Sequence, residues 1–337
     1  MRPFAYVDPA SLAAASGILA DRKARAMPIA GGVDLLGELK DHLVEPETLV
    51  NLKAIRELDY VRFDSDGTLR LGALATLTEV GENERVRREF PGVAQAALSV
   101  GSVEIRNVGT VGGNLCQRPR CWYYRSALHT CLKKGGDVCF TIQGDSRYHA
   151  ILGGGPSFIV HPSDLAPALI ACDARIIVVG VAGRTEVPLE KFYVLPSVRL
   201  DHETILAPGE IVTEVVVPPP LAAASGARGL FLKFREKESF DFALVSVAAT
   251  LKMDGATCTA ARIVLGGVAP VPWRSAEAEK AVTGKPIDLP TAAQAAEAAL
   301  AGASPMPHNG YKVPLAKALV QRAILELSGR GREPGPA

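Results

Sequence analysis

The chain has 337 residues, of which 48% are hydrophobic and 22% are charged, and this composition is typical of a soluble globular protein with two or three domains. A net charge of +1 gives no reason to expect nucleic acid or an acidic membrane surface as a partner. No apolar run is long enough to span a bilayer and the N-terminus does not resemble a secretion signal, so we expect a cytoplasmic protein, exported only if a partner carries the signal.

The first part of the chain predicts a small unit of helices and strands that contains a glycine turn. Apolar residues follow Ser11 at helical spacing, a short strand ends at Gly31 and Gly32, and the stretch VDLLGELKD begins a second helix. Glycines allow a ligand close to the backbone, and amides at a helix N-terminus can hold a pyrophosphate. The turn is neither G-x-G-x-x-G nor a Walker loop. Taken alone, an ordinary strand–turn–helix connection explains it better.

A second glycine turn follows a hairpin and a helical region. Strands are predicted over residues 58–80, with Asp66 and Gly67 as the hairpin turn, and the helical region that follows is interrupted at Pro91. The stretch NVGTVGGNL then offers glycines together with the polar side chains of Thr110 and Asn114. Two such turns, each flanked by apolar strand residues, favour two halves of one cradle for a ligand.

Cysteine is concentrated in one loop. The six cysteines are Cys116, Cys121, Cys131, Cys139, Cys172 and Cys258. The first four have the spacing C-x4-C-x9-C-x7-C within residues 116–160, a stretch with little periodicity. Thiolates favour zinc or iron–sulfur, and because paired C-x2-C knuckles are absent, a cluster in a loop fits better than a zinc ribbon. Free cysteines remain the alternative.

The stretch HPSDLAPAL predicts a helix that begins near Ser163 and Asp164. Such residues are usually helix caps, but next to a cradle Asp164 can also bond a ribityl or ribose hydroxyl. Lys233 lies in a strand-like run and faces either solvent or an anionic ligand at the domain junction. After a small-residue linker, strands followed by helices predict a compact α+β domain. The tail RGREPGPA is expected to be disordered.

Four stretches in this order, AGGVDLL, IRNVGTVGGNL, HPSDLAPAL and GEIVTEVVVP, resemble the FAD-binding (medium) subunit of molybdenum hydroxylases. This is the family of xanthine dehydrogenase, carbon monoxide dehydrogenase and 4-hydroxybenzoyl-CoA reductase. The resemblance covers nearly the whole chain and implies an α+β fold, with a vanillyl-alcohol-oxidase (PCMH-type) FAD-binding domain in two subdomains and then a C-terminal α+β flavoprotein domain. The expected boundaries are 1–57, 58–221 with the cysteine-rich insertion at 116–160, 228–329, and a disordered tail at 330–337.

The resemblance implies FAD-binding roles for both glycine turns. It also places Asp164 at the ribityl or adjoining part of FAD, and Val212 and Lys233 near the flavin ring. The expected FAD-binding residues are Ile29, Ala30, Gly31, Gly32, Val33, Asp34, Leu35, Leu36, Gly109, Thr110, Gly112, Gly113, Asn114, Asp164, Val212 and Lys233. No catalytic residue is expected, because the sequence has no Ser/His/Asp or Cys/His arrangement, no apparent carboxylate pair and no H-E-x-x-H.

The cysteine insertion is similar to the sub-branch whose flavin subunit carries an extra [4Fe–4S] cluster, which includes periplasmic aldehyde oxidoreductases. That similarity implies Cys121, Cys131 and Cys139 as three cluster ligands. The fourth ligand is usually a cysteine just before the His-Pro-Ser-Asp motif, where this chain has Ser157. Replacement by Cys116, weak binding by the serine oxygen, a three-iron cluster and no cluster all remain open.

We therefore expect an oxidoreductase component: the FAD-binding electron-transfer subunit of a heterotrimer. The expected partners are a [2Fe–2S] small subunit, a molybdopterin-binding large subunit on which the substrate is oxidised, and an external electron acceptor or donor. FAD suits such a junction because it exchanges single electrons with iron–sulfur centres and pairs with other acceptors. The alternatives are a standalone FAD-dependent oxidase or dehydrogenase, and a zinc-stabilised scaffold subunit without flavin.

Overall fold

The computed structural model describes residues 1–219 and 227–330. Most of the predicted linker, and residues 331–337 of the predicted disordered tail, lie outside the described residues. Three sheets organise the described chain in sequence order. No helix among these residues combines the length and the apolar character that crossing a bilayer demands.

The N-terminal sheet is parallel, with strand order β1-β3-β2. Its strands are β1 (Ala5–Val7), β2 (Ala26–Ile29) and β3 (Thr48–Asn51), and its crossover helices are α1 (Leu12–Ala20) and α2 (Leu35–Lys40). Ser11 begins α1 as predicted, because its hydroxyl accepts a hydrogen bond from the Ala14 amide at 3.2 Å. Since β2 ends at Ile29, the first glycine turn lies at the carboxyl edge of this sheet, where open α/β sheets bind ligands.

The central sheet is antiparallel, with strand order β4-β5-β8-β6-β7. Its strands are β4 (Val61–Phe63), β5 (Leu69–Gly72), β6 (Arg175–Gly180), β7 (Gly183–Pro188) and β8 (Ile211–Val217). The helices between β5 and β6 are α3 (Leu77–Glu82), α4 (Glu84–Glu89), α5 (Pro91–Leu98), α6 (Val103–Val108), α7 (Val111–Leu115) and α8 (Leu165–Ile170). Together they enclose the largest hydrophobic core.

Two details of this region test the sequence interpretation. The predicted interruption at Pro91 is confirmed, because α5 begins there, at a position where proline's missing N–H costs nothing. The strand predicted to continue through residues 77–80 is wrong. Thr76 and Glu79 form a reciprocal capping box that begins α3 instead.

The C-terminal sheet is antiparallel, with strand order β12-β11-β10-β9 and β13 paired to β11. Its strands are β9 (Ala227–Phe234), β10 (Val245–Asp254), β11 (Thr257–Gly266), β12 (Trp273–Arg274) and β13 (Lys285–Pro286). The helices of this region are α9 (Ala276–Val282), α10 (Leu289–Ala299) and α11 (Lys312–Leu327). Strands followed by helices were predicted here, whereas α9 was not.

Residues 116–160 form neither a strand nor an α-helix, only two short 3-10 helices. Polar contacts attach this loop to its surroundings. Lys133 and Arg118 both pair with the buried Glu203, at 2.7 and 2.8 Å, and the Tyr124 hydroxyl donates to Glu38 at 2.8 Å. The loop is thus held largely by contacts with other parts of the chain, as its lack of periodicity predicts.

Candidate functional site

The two glycine turns meet at one cavity of about 490 Å³, here called the main cleft. Every residue predicted to bind FAD lines this cleft, with the exception of Leu36. Leu36 lies in the first turn of α2, where its side chain packs against Gly32 and remains 38% exposed. Leu36 is therefore the one predicted residue whose side chain does not line the cleft, although the neighbouring Leu35 does.

Gly31 is the point at which the two turns touch. A Cβ atom at this position would lie 2.0 Å from the Val108 carbonyl oxygen and 3.2 Å from the Gly109 Cα. Only glycine permits this approach, since backbone atoms cannot move aside as a flexible side chain can. Gly32 has a φ of +73°, so it too occupies a conformation that favours glycine. Glycine at these two positions thus brings the halves of the cleft together.

The first turn supplies free backbone donors. Within residues 1–219 and 227–330, the amides of residues 31–34 donate to no protein acceptor, although they lie at the start of α2. Backbone N–H groups grouped in this way form an anion-binding site. The amides of Gly112 and Gly113 are already used, by the Ala73 carbonyl at 2.8 Å and the Thr110 hydroxyl at 3.1 Å.

The second turn is the beginning of a helix rather than an open loop. Thr110 caps α7 through its bond with Gly113. Asn114 accepts a hydrogen bond from the Ser163 hydroxyl at 2.6 Å, and both residues are buried. A Cβ on Gly112 would lie 3.1 Å from Ala73. This turn therefore contributes space and a rigid wall more than it contributes free polar groups.

Asp34 joins the first turn to the cysteine-rich loop. Its carboxylate receives the Arg125 and Arg120 guanidinium groups at 2.6 Å each and the Arg118 backbone amide at 2.7 Å. Arg118 and Arg120 also line the main cleft, and Arg118 pairs in turn with the buried Glu203. Sequence reasoning missed both arginines, although they follow the second turn directly in the stretch CQRPRC.

Replacement of Asp34 by alanine is expected to loosen the cysteine-rich loop. A hydrogen bond to a charged group contributes about 1.5–3 kcal/mol, so the loss of such contacts should raise local opening at least about tenfold. Timed trypsin digestion, with cleavage mapped between residues 116 and 160, measures this opening. Asp41→Ala is the control, since Asp41 is exposed at the end of α2. Equal cleavage rates in both variants would contradict the assigned role.

A buried ion pair closes the far side of the main cleft. The Lys233 ammonium lies 2.6 Å from an Asp164 carboxylate oxygen, and each side chain is only 4% exposed. The alternative that Lys233 faces solvent is therefore wrong. Burial raises the pKa of Asp164, while the positive charge of Lys233 acts in the opposite direction. Asp164 is at the N-cap position of α8 but makes no side-chain capping bond. The Ser163 hydroxyl accepts from the Ala166 amide instead, at 3.0 Å, which leaves Asp164 for the ion pair.

Three of the predicted metal ligands, Cys121, Cys131 and Cys139, line a second and much smaller cavity of about 10 Å³. This thiol cavity is also lined by Ser157, which stands where a fourth cysteine was expected, and by His149. Cys116 lies instead in the wall of the main cleft and packs against the central core. The structure thus does not support Cys116 as a replacement ligand.

The thiols of this cavity do not converge as ligands of a single ion would. Among the residues that the structure describes, no three His, Cys, Asp or Glu side chains form a group able to hold a metal ion. The Cys121 thiol is nevertheless close enough to the other two for their charges to raise its pKa, after the larger effect of burial, to about 11.

A third cavity, of about 280 Å³, lies between the other two and is called the middle cavity. It shares Arg120, Asp164 and Phe242 with the main cleft, and Cys121 and His149 with the thiol cavity. The three cavities therefore form a continuous series from the cysteine-rich loop to the glycine turns.

Comparison with known families covers almost the whole chain. Residues 2–220 match the family described as the FAD binding domain in molybdopterin dehydrogenase. Residues 231–327 match the CO dehydrogenase flavoprotein C-terminal domain. The N-terminal and central sheets lie within residues 2–220. Most of the C-terminal sheet lies within residues 231–327.

Individual relatives agree with this match. The chain is 36% identical over 330 residues to the aldehyde oxidoreductase FAD-binding subunit PaoB of Escherichia coli (strain K12), with 97% of this chain and 98% of that one covered. It is 27% identical over 293 residues to the nicotinate dehydrogenase FAD-subunit of Eubacterium barkeri, covering 86% and 83%.

Solved structures give the same result. Carbon monoxide dehydrogenase from Hydrogenophaga pseudoflava, in a form that lacks the Mo-pyranopterin moiety of its cofactor, superposes with a TM-score of 0.77 at 26% identity, covering 98% of this chain and 99% of that one. Quinoline 2-oxidoreductase from Pseudomonas putida 86 gives 0.74 at 29% identity, with the same coverage. This chain therefore belongs to the family of FAD-binding medium subunits of molybdenum hydroxylases, the carbon monoxide dehydrogenase and xanthine dehydrogenase family of oxidoreductases.

Proposed function

We propose that this chain is the FAD-binding electron-transfer subunit of a heterotrimeric molybdenum-containing hydroxylase or dehydrogenase. The observation that carries the proposal is the contact of the two glycine turns at one cleft that holds free backbone amides and arginine side chains. FAD, when bound, exchanges single electrons with iron–sulfur centres and electron pairs with other redox partners. The protein's own part is to bind, orient and tune this cofactor.

The residues of the main cleft fit a flavin dinucleotide. The free amides of residues 31–34, at the start of α2, would bind the diphosphate. Arg118 and Arg120 lie nearby, each paired with a carboxylate, Glu203 and Asp34 respectively. Because backbone carbonyls occupy the space beside Gly31 and Gly109, these bends bring the two turns together next to the space for the cofactor. Asp164 and Lys233 would lie near the ribityl chain and the ring, where their mutual ion pair fixes both side chains.

We further propose that the thiol cavity holds an iron–sulfur cluster of the [4Fe–4S] type. The support is the donor set, because three thiols and one buried imidazole line a single cavity. Ligands of a four-iron cluster each bind a different iron, so they stand farther apart than the ligands of one zinc ion. The small present volume requires the loop to open around a cluster, against the ion pairs of Lys133 and Arg118 with Glu203.

The middle cavity connects the proposed cluster site to the proposed flavin site. It brings the thiol cavity next to Asp164 and Arg120 of the main cleft, so a cluster and a flavin would be near neighbours. Substrate oxidation would then occur on a molybdopterin-binding large subunit, and a small subunit would carry the [2Fe–2S] centres. The division into units at 1–57, 58–221 and 228–329, and a cytoplasmic location, are parts of the same proposal.

Spectroscopy of the purified full-length chain tests the cofactor content. We expect the visible bands of an oxidised flavin, released by acid as free FAD, together with iron and acid-labile sulfide. Flavin that stays attached after acid precipitation would favour a standalone flavin oxidase. A colourless protein with stoichiometric zinc would contradict the proposal in favour of a scaffold subunit.

Cys131→Ala separates the two cofactors. Because Cys131 lines only the thiol cavity, the variant should lose its iron and sulfide while it keeps its FAD. The matched control is Cys172→Ala, which removes a thiol that lines none of the three cavities. Unchanged iron in Cys131→Ala would show that the loop does not bind a cluster.

A further inference from the structure

The middle cavity, of about 280 Å³, has no occupant in the function proposed above. Aromatic side chains form much of its wall. Trp122 and Tyr148 contact each other edge to face with ring centroids 5.4 Å apart, and Phe242 lies where the cavity meets the main cleft. Val160 and Leu244 add apolar surface. A cavity with such a lining suits a flat and largely apolar molecule.

The charged groups of this cavity disfavour an anion. Arg120 and Asp164, which it shares with the main cleft, are each held in an ion pair at 2.6 Å. Glu236 and Asp241 also line the cavity. They accept hydrogen bonds from neutral donors, a tyrosine hydroxyl at 3.0 Å and a backbone amide at 2.9 Å, which leave their negative charges in place. The cavity therefore favours a ligand without negative charge.

His161 supplies a hydrogen-bond donor to the buried part of the wall. The side chain is 3% exposed, and burial lowers its pKa to about 3, so the ring is neutral. Its Nδ1 atom accepts from the Ser163 amide at 3.4 Å, which places the ring proton on Nε2. The Leu115 carbonyl opposes the pKa shift but accepts from the Tyr193 hydroxyl instead. Nε2 has no hydrogen-bond partner among the residues that the structure describes, and a buried donor of this kind is costly unless a ligand satisfies it.

We propose that the middle cavity binds the electron acceptor of the flavin, and that this acceptor is a small quinone without negative charge. The inference rests on the proposed FAD site, because the cavity shares Asp164 and Phe242 with the main cleft. A quinone takes up two electrons and two protons to become a hydroquinone, which balances the reoxidation of a fully reduced flavin. Its ring would lie against the aromatic wall, and one carbonyl oxygen would accept the N–H of His161.

Duroquinone is the probe, because its fully substituted ring does not add to cysteine thiols. Equilibrium dialysis against the FAD-loaded, full-length chain measures its binding, and we expect a single saturable site. Tyr148→Ala should weaken binding at least about fivefold through loss of the aromatic wall, and His161→Phe by a similar factor through loss of the donor. Tyr6→Ala is the control, since it removes an exposed ring of β1 that lines none of the three cavities.

Tryptophan fluorescence locates the bound probe. The chain has two tryptophans. Trp122 lines the middle cavity, whereas Trp273 lies in β12 and lines none of the three cavities. Bound duroquinone should therefore quench Trp122. In Trp122→Phe the quenching should disappear, while dialysis still detects binding.

Two further probes test the charge preference and the source of the quinone. Anthraquinone-2-sulfonate should bind more tightly to Glu236→Gln/Asp241→Asn than to the unaltered chain, because two negative charges have been removed from the wall. An unchanged affinity would contradict the assigned preference. Decylubiquinone carries an apolar tail, so tighter binding than that of duroquinone would indicate a lipid-soluble quinone, and equal binding a free one.

The outcomes separate this inference from the function on which it rests. Flavin absorbance and circular dichroism establish that each variant has folded and holds its cofactor. A chain without FAD would contradict the proposed function. A chain that holds FAD but does not bind duroquinone, or binds it equally well in Tyr148→Ala and His161→Phe, would overturn the acceptor site alone. Release of FAD by duroquinone would also overturn it, since the cavity would then be part of the flavin site.

Discussion

Gly31→Ala is expected to yield protein with at least about tenfold less bound FAD. The new methyl group would meet the Val108 carbonyl oxygen at 2.0 Å, and because this is backbone, one glycine turn must move away from the other. Overpacking of this kind costs about 1–3 kcal/mol, enough for a tenfold change in affinity. The ratio of flavin to protein absorbance, followed by titration of the apoprotein with FAD, measures the effect.

Gly37→Ala is the matched control for this experiment. Gly37 lies in α2, six residues farther along, where an added Cβ would meet only the Arg125 guanidinium at 4.0 Å. Alanine is a better helix former than glycine, so this variant should bind FAD normally. Normal FAD content in Gly31→Ala, with the fold intact, would mean that the contact of the two turns does not shape the cofactor site.

Lys233→Met should destabilise the protein by about 3–5 kcal/mol, because it leaves the Asp164 carboxylate buried without its partner. The two groups lie 2.6 Å apart, and each side chain is 4% exposed. Chemical unfolding measured by the intrinsic fluorescence of the tryptophans gives the free energy. The double variant Lys233→Met/Asp164→Asn should lose less than Lys233→Met alone, since it contains no uncompensated charge.

Lys317→Met is the control for the loss of a lysine. Lys317 pairs with Glu297 at the same distance of 2.6 Å, but the two side chains are 31% and 69% exposed. An exposed pair contributes at most about 1 kcal/mol. If Lys233→Met costs no more than this control, burial does not make the pair of Lys233 and Asp164 more important for stability than an exposed pair.

The pH dependence of Lys233→Met follows from the same pair. Lys233 acts to lower the pKa of Asp164, which burial has raised, so without the lysine that pKa rises further. Between the unfolded pKa and the raised folded pKa, the folded state then keeps a proton that the unfolded state releases. The stability of this variant should therefore fall as the pH rises through that window, and its deficit should be smallest in acid.

Much of the cleft was predictable from local sequence. Gly31 and Gly32 follow a strand and precede a helix, and Thr110 precedes a run of small residues, so each signal lies within a few residues. The periodicity also indicated a C-terminal unit of strands followed by helices. The strand prediction failed at residues 77–80 because a helix-starting signal lies there. The capping box of Thr76 and Glu79 begins α3 where a strand was predicted.

The site's polar contacts were far less predictable. Arg118 and Arg120 lie in the main cleft because Asp34, more than eighty positions earlier, binds the loop that carries them. His149 stood in no motif, and only its closeness to Cys121 distinguishes it. Cys116 has the spacing of a ligand yet faces another cavity. In a loop without regular structure, the spacing of cysteines in the sequence does not determine which cavity each side chain faces.

By itself, the sequence determined which turns have glycine, which segments form strands or helices, and how many thiols lie in one loop, because those properties depend on neighbouring residues. Tertiary structure alone decided that Gly31 touches Val108, that Lys233 is buried against Asp164, and that three thiols share a cavity with His149. Each of these contacts joins segments distant in sequence, and their meeting is set by the packing of sheets and helices, which no local pattern encodes.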